Sequence, residues 1–134
     1  MDFVNQNILI TGAADGLGLA ISKSFANTKA NLFLIDINYD RLIENDISNA
    51  NNIQCDLSNI NSVKNLITKF SAEKIHFDVL IHNAAVLVPK SFEETSVEYW
   101  NEMTNISLNS GYLLSNYAWT NMKKNKKGII IFVS

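Results

Sequence analysis

Two residue types are nearly missing from this 134-residue chain: cysteine occurs once, at Cys55, and proline once, at Pro89. A lone thiol cannot close an internal disulfide. Neither Cys55 nor the two histidines, His76 and His82, has companions at metal-ligand spacing, which argues against a zinc site. Cys55 reads instead as a small buried hydrophobe. Long apolar runs are also lacking, and none approaches the roughly 20 residues required to cross a bilayer. The opening Met1-Asp2-Phe3-Val4-Asn5-Gln6 has neither the basic start nor the apolar core of a secretory leader. No sign of charge dominates: the formal net charge is −2, which gives no general attraction to nucleic acid or anionic lipid. A reducing, cytoplasmic location is the expectation these absences leave.

What is present points to a folded α/β domain. Hydrophobic residues make up 47% and charged residues 18%, enough for one well-covered core and too apolar for a disordered chain. The many Asn, Ile and Lys residues read as background usage. Short apolar runs alternate with helical patterns along the whole chain. Asn7 to Thr11 is a buried-strand run. Leu17, Ala20, Ile21 and Phe25 then fall on one face of a helix from Leu17 to Thr28. Asn31 to Asp36 is a second strand ending in an acid, and a short helix from about Asp40 to Ile47 leads to a third strand, Asn52 to Asp56. Ile60, Val63, Leu66, Ile67 and Phe70 mark the next helix, and Asp78 to His82 a fourth strand. A helical region from about Ser96 to Met122 precedes a fifth strand, Gly128 to Ser134. Strands joined by helices of this length are βαβ units, which imply a parallel sheet with helices on both faces. No internal repeat, low-complexity linker or second-domain boundary interrupts the pattern.

The first strand runs into Thr11-Gly12-Ala13-Ala14-Asp15-Gly16-Leu17-Gly18, inside which a helix begins. Glycines let the backbone turn sharply and approach a ligand with no Cβ in the way. A helix start adds unpaired N–H groups and a positive dipole end suited to a pyrophosphate. In its strand–helix context the turn is a strong dinucleotide signal. Asp36 closes the second strand, where a carboxylate can accept hydrogen bonds from both hydroxyls of an adenosine ribose and repel a 2′-phosphate.

The spacing G-x-x-x-G-x-G, preceded by Thr11, resembles the signature of the short-chain dehydrogenase/reductase family at every fixed position. Two elements downstream resemble the same family. Asp56-Leu57 is similar to its D-[LV] pair, which implies an acid reaching the adenine amino group and a helping backbone amide. His82-Asn83-Ala84-Ala85 is similar to its N-N-A-G element, with His82 for the first Asn and Ala85 for the Gly. There the resemblance implies that Asn83 braces the central strand while backbone lies against the cofactor ribose. NADP-preferring members tend to carry a basic residue just before the second glycine or just after the second strand, whereas this chain has Asp15 and Ile37. The implied fold is a Rossmann-type doubly wound parallel sheet of about five strands, order 3-2-1-4-5, over residues 1–134. It is truncated after the fifth strand, since the resemblance covers the first half to three-fifths of a typical member. The implied cofactor is NAD, held by Thr11, Gly12, Asp15, Gly16, Leu17, Gly18, Asp36, Ile37, Asp56, Leu57, Asn83, Ala84 and Ala85.

Hydride transfer to a ketone leaves an alkoxide that must be protonated near neutral pH, and the family resemblance implies an Asn, Ser, Tyr, Lys set for this work. Alignment on Trp100 and Tyr112-Leu113-Leu114 puts the Asn position at Ser107, with Asn105 and Asn109 serving only if the helix register slips. Ser134 meets the Ser position only if the last strand shifts by one. None of Tyr39, Tyr99, Tyr112 and Tyr117 has a Lys four residues later, so no Y-x-x-x-K pair is found. The reading is therefore the NAD-binding portion of an oxidoreductase acting between nicotinamide and an alcohol or ketone, with the chain alone turning nothing over. The loop Val86 to Thr95 is expected to supply one wall of a substrate pocket. The alternatives are a noncatalytic NAD-binding or partner-binding module, and a methyltransferase on a similar sheet, which would not need this glycine spacing. Coding sequence continuing beyond Ser134 into Y-x-x-x-K would separate the first two.

The long helix carries two opposite apolar stripes: Met103, Ile106, Leu113, Leu114 and Tyr117 on one side, Leu108, Tyr112, Trp119 and Met122 on the other. Together with a wholly apolar last strand expected at a sheet edge, this implies a homo-oligomer formed through the 100–122 helix or that strand. Trp100 and Trp119 are expected to pack, not to form a stacking platform. Lys123, Lys124, Lys126 and Lys127 read as a solvated helix end complementing its dipole.

Overall fold

The computed structural model describes residues 3–86 and 88–134; Met1 and Asp2 of the opening segment and Leu87 of the loop after the fourth strand lie outside the described residues. The strands are β1 (Asn7–Thr11), β2 (Asn31–Asp36), β3 (Ala50–Gln54), β4 (Val79–His82) and β5 (Ile129–Phe132). They form one sheet in the order β3-β2-β1-β4-β5, and every pairing is parallel. Helices α1 (Gly16–Ala26), α2 (Tyr39–Glu44) and α3 (Ile60–Ala72) connect the first four strands. From Val97 to Asn125 the chain stays helical as α4 (Val97–Thr104), a π-helical segment (Asn105–Asn109) and α5 (Ser110–Asn125). This is the expected doubly wound architecture and strand order. Among the described residues no helix is long and apolar enough to cross a membrane.

Successive strand residues serve opposite faces. Leu9, Phe33, Ile35 and Leu80 pack with Val63 and Phe70 of α3 and Leu114, Ala118 and Met122 of α5. Ile8, Ile10, Leu32, Leu34, Val79 and Ile81 form a second cluster with Leu42 of α2, joined by Ile21 and Phe25 of α1. Burial on both sides is why the strands read as unbroken apolar runs instead of alternating ones. Four helix starts are capped by side chains: Asp15 on α1, Asn38 on α2, Asn59 on α3 and Ser96 on α4 each accept from an orphan backbone N–H. Two of those caps are asparagines, so part of the Asn content that reads as background has a local task.

Several expectations shift. β3 spans Ala50–Gln54 rather than 52–56, because its pairing begins at Leu32↔Ala50 and ends at Asp36↔Gln54. Backbone pairing at a sheet edge does not require apolar side chains, so Asn51 and Asn52 belong to the strand and Asp56 falls into the loop beyond it. The inner face of α1 is Gly18, Ile21, Ser22 and Phe25, while Leu17 and Ala20 are exposed; small residues are needed where the helix lies close on the sheet. Met122 is buried with Leu114 and Ala118, not on the opposite stripe. Rows at four-residue spacing drift slowly around a helix and follow the sheet as α5 slants across it. The rest of the second stripe is exposed, Leu108 by 61%, Tyr112 by 66% and Trp119 by 56%, as are Trp100 and the Ile130–Phe132 edge. The tryptophans, expected to pack, are therefore more than half exposed.

His82 anchors the long helix to the sheet. At the end of β4 it is buried, its Nε2 lies 3.0 Å from the Ile106 carbonyl of the π segment, and its ring lies 5.1 Å from that of Phe132. At Gly111 a Cβ would lie 2.6 Å from both the His82 and Phe132 rings, so only glycine lets α5 approach this closely. Tyr117 adds a hydroxyl bond to the Ile75 carbonyl.

Phe77 is fully buried, with ring contacts at 5.2 Å to Phe33 and 5.0 Å to Phe70. Phe77→Ala is expected to lower unfolding free energy by about 3–5 kcal/mol in urea titration, the range for emptying a packed aromatic site. Burial pushes the His82 ring below its ordinary pKa, with the Ile106 and Ser107 backbone partly offsetting that effect. The unfolded chain then binds a proton more readily than the folded one below about pH 6.5. Stability from the neutral ring is complete above that pH and falls as pH drops toward the lowered folded value. Urea midpoints should decrease between neutral pH and about pH 5.5, and His82→Asn should flatten that slope.

Candidate functional site

The strand order places a crevice at the carboxyl ends of β1 and β4, where successive crossovers leave in opposite directions. That is the position at which open parallel sheets bind ligands. A cleft of about 600 Å³ opens there. The glycine turn forms one side through Gly12, Asp15 and Gly16, and the end of β2 contributes Asp36 and Ile37. Asp56 and Leu57 approach from the loop after β3, and Asn83, Ala84 and Ala85 from the loop after β4. Four stretches predicted from sequence thus meet at one cavity. The remaining predicted residues do not line it. Thr11 and Gly18 are buried beneath the turn, and Leu17 sits exposed on the first turn of α1.

The turn is held open by its packing. At Gly18 a Cβ would stand 2.0 Å from the Gly12 carbonyl oxygen and 2.7 Å from the Asn83 amide, so the loop and helix start touch through bare backbone. At Gly16, which has φ +50°, a Cβ would meet nothing within 4 Å. One glycine closes the turn from below, and open space remains above the other, beside the amino end of α1. Asp15 caps that helix through the Gly16 N–H at 2.8 Å and pairs with Arg41 of α2 at 3.0 Å. Both side chains are more than half exposed, so the pair adds little stability.

Asp36 is half-buried and oriented from both directions. Its Oδ2 accepts from the Ala14 N–H and its Oδ1 from the Asn38 N–H, each at 3.0 Å. A carboxylate has roughly four acceptor sites, so both oxygens retain capacity for further donors. The helix cap beside it is Asn38, which leaves Asp36 free of that task. Asp56 accepts from the Ser58 N–H and hydroxyl through Oδ1, at 2.9 and 2.7 Å. Cys55, also at the cleft, is buried, and burial together with neighbouring Asp56 pushes its thiol up to about 11, so it stays protonated at neutral pH.

Asn83 braces the sheet as the resemblance implied, its Nδ2 donating to the Thr11 and Gly12 carbonyls at 3.2 Å each. The Thr11 hydroxyl accepts from the Asn83 and Ala84 N–H groups at 3.1 and 3.0 Å. Ser107 lies half-buried in the π segment. Neighbouring Asn105 donates to the Ser58 carbonyl and accepts from Asn109, so both asparagines are engaged in holding the helix to the cleft loop. Ser134 is exposed beyond β5. Among the described residues no cluster of His, Cys, Asp and Glu could hold a metal ion.

Sequence reasoning missed Arg41, Ser58, Glu102 and Ile106 as site residues. The last three line the cleft, as does Val86 at the start of the loop expected to supply a pocket wall, and Arg41 places a cation beside Asp15. Nothing local marks them; each arrives from a helix or loop whose placement depends on tertiary packing. The loop after β4 is fastened by Tyr99, whose hydroxyl donates to the Val88 carbonyl and accepts from the Val88 N–H at 2.8 and 2.9 Å.

Comparison with known proteins agrees with this geometry. Residues 6–134 match the family model described as short chain dehydrogenase. A cyclopentanol dehydrogenase from a Comamonas species is 30% identical over 141 aligned positions, covering all of this chain and 56% of that protein. An uncharacterized oxidoreductase of Thermotoga maritima is 29% identical, with coverage of 94% of this chain and 52% of the other. Among solved structures, a 4-hydroxyisoleucine dehydrogenase complexed with NADH superposes with TM-score 0.83 at 27% identity, over 94% of this chain and 54% of its own. The chain thus spans about half the length of the relatives it matches. With the glycine turn, the strand order and a family match running almost end to end, this chain belongs to the short-chain dehydrogenase family.

Proposed function

We propose that this chain is the NAD-binding portion of a short-chain oxidoreductase that moves a hydride between nicotinamide and an alcohol or ketone. The observation that carries the reading is the placement of Asp36: a carboxylate fixed by two backbone amides, at the rim of a cleft whose other side is the glycine turn. The open space at Gly16 beside the α1 amino terminus fits a diphosphate, and the Asp36 oxygens fit the two hydroxyls of the attached ribose. Asp56, Leu57 and the Asn83–Ala85 loop are the remaining contacts we assign to the dinucleotide, with Thr11 and Gly18 supporting them from below.

The resemblance to an NADH-complexed dehydrogenase supports a nicotinamide cofactor, and a second structural neighbour is a short-chain oxidoreductase in complex with NADP. The choice of NAD over NADP therefore stands on this chain's own charges. A 2′-phosphate would meet Asp36 at close range, and the nearby cation, Arg41, is already paired with Asp15. The bound nicotinamide supplies the hydride chemistry. The chain's own residues bind, orient and shield the dinucleotide. No tyrosine here precedes a lysine by four residues, so these 134 residues are proposed to bind without turnover. The single buried cysteine fits a reducing cytoplasm.

Calorimetry should find NAD bound about tenfold or more tighter than NADP, a difference of ~1.4 kcal/mol or above. Asp36→Ala should erase most of that gap; equal affinity for the two dinucleotides in the natural chain would refute the assignment. The exposed row Leu108, Tyr112 and Trp119 and the apolar β5 edge are further proposed to be covered by a second copy. Light scattering should then report a mass above that of one chain, and a monomer at high protein concentration would exclude it.

A further inference from the structure

We infer that His82 is a positioning residue of the cleft: its neutral ring, protonated on Nε2, joins the loop that floors the cleft to the helical wall that carries Ser107. The inference rests on the reading of this cleft as a dinucleotide site. It concerns a residue that departs from the family element, where an Asn stands in its place.

Hydrogen-bond roles around the ring admit one solution. The Ile106 carbonyl, 3.0 Å from Nε2, can only accept, so Nε2 carries the proton. On the other side Nδ1 lies 3.0 Å from the Thr11 hydroxyl. That oxygen already accepts from the Asn83 and Ala84 N–H groups, which directs its own hydrogen to Nδ1. The result is a single directed chain, from the Asn83 and Ala84 amides through Thr11 to Nδ1, and from Nε2 to Ile106. A flipped ring would present carbon atoms to both partners and lose both bonds.

Both ends of this chain are walls of the same cavity. Ala84 and Asn83 line the cleft and press on the glycine turn: a Cβ at Gly12 would lie 3.0 Å from the Ala84 Cα and from the Asn83 amide nitrogen. Ile106 lines the cleft from the opposite side, inside the π segment, where the Ser110 N–H reaches back to the Asn105 carbonyl. The Ser110 hydroxyl also donates to the Ile106 carbonyl, at 2.8 Å, so that acceptor is used twice. Gly111 and Phe132 confine the ring from either side. His82 thereby holds the distance between the surface a cofactor ribose would touch and the turn that presents Ser107. The lowered proton affinity of the buried ring agrees with a neutral tautomer.

The geometry separates the two bonds by substitution. An Asn side chain can place an acceptor where Nδ1 stands, and a Gln side chain can place a donor near Nε2. Nitrogen-edited NMR of the full chain should show His82 as the neutral Nε2–H tautomer. NAD affinity should fall about tenfold or more in His82→Leu, which loses both bonds, and by a smaller factor in His82→Asn and in His82→Gln, each of which keeps one. His82→Asn should leave the Asn83 and Ala84 amide shifts in place while moving those of Ile106 and Ser107, and His82→Gln should do the reverse. An Nδ1–H tautomer overturns the inference, as does unchanged NAD affinity in His82→Leu with unmoved amide shifts. Should His82→Leu fail to fold, the Asn and Gln variants supply the same comparison. If the natural chain binds no NAD, the dinucleotide reading fails by itself, and the tautomer and amide pattern still decide whether His82 links the two walls.

Discussion

The reversal of strand order between β1 and β4 governs the rest of this molecule. From β1 the chain crosses outward to β2 and β3, then returns past β1 to place β4 and β5 on the other side. The loops leaving β1 and β4 must therefore diverge, and a crevice remains between them at the carboxyl ends of the strands. Right-handed crossovers force helices onto both faces, which in turn demands two apolar clusters and strands buried on both sides. The cleft is a consequence of this winding. Side chains decide only what the cleft can hold.

On the proposed reading, they leave room for an anion beside a polyhydroxylated group. The glycine turn lets backbone meet backbone at Gly12, Gly18 and Ala84, leaving the mouth of α1 open at Gly16. Asp36 faces this region with its carboxylate fixed by the Ala14 and Asn38 amides, so it need not reorganise to accept hydroxyl donors. Arg41 of α2 is paired with Asp15 beside the glycine turn, the charge balance on which the proposed preference for NAD rests.

The helical wall shows how local irregularity serves placement. A π segment within an otherwise regular helix brings Ile106 to the cleft and its carbonyl to His82, while Asn105 reaches across to Ser58. Gly111 allows the same helix to rest on the sheet. Beyond this contact the outer row of α5 and the β5 edge stay exposed. Apolar surface of this kind marks an interaction face more often than a plain solvent face.

Periodicity and turn chemistry made much of this legible beforehand. The order of elements, the parallel sheet, the glycine turn and the acid closing β2 could all be read along the chain, because each depends on neighbours within a few residues; the Asp56 and Asn83 loops were implied only by the family resemblance. The errors arose where partners are remote. Met122 was assigned to the wrong stripe because the slant of α5 across the sheet is not written in its own repeat. Trp100 and Trp119 were expected to pack, and the structure leaves them exposed. β3 began earlier than its apolar residues suggested, since its start is set by pairing with Leu32.

By itself, then, the amino-acid order determined the alternation of strands and helices and the chemistry of the turn, which are encoded in local hydrophobic spacing and backbone freedom, while the strand order was implied by the family resemblance. Only the tertiary structure decided the rest. It brought the Ala14 N–H to Asp36, paired Arg41 with Asp15, and buried His82 between Thr11 and Ile106. Such contacts join residues between 22 and 71 positions apart, and a hydrogen bond over that separation exists only once packing has brought its two ends within about 3 Å.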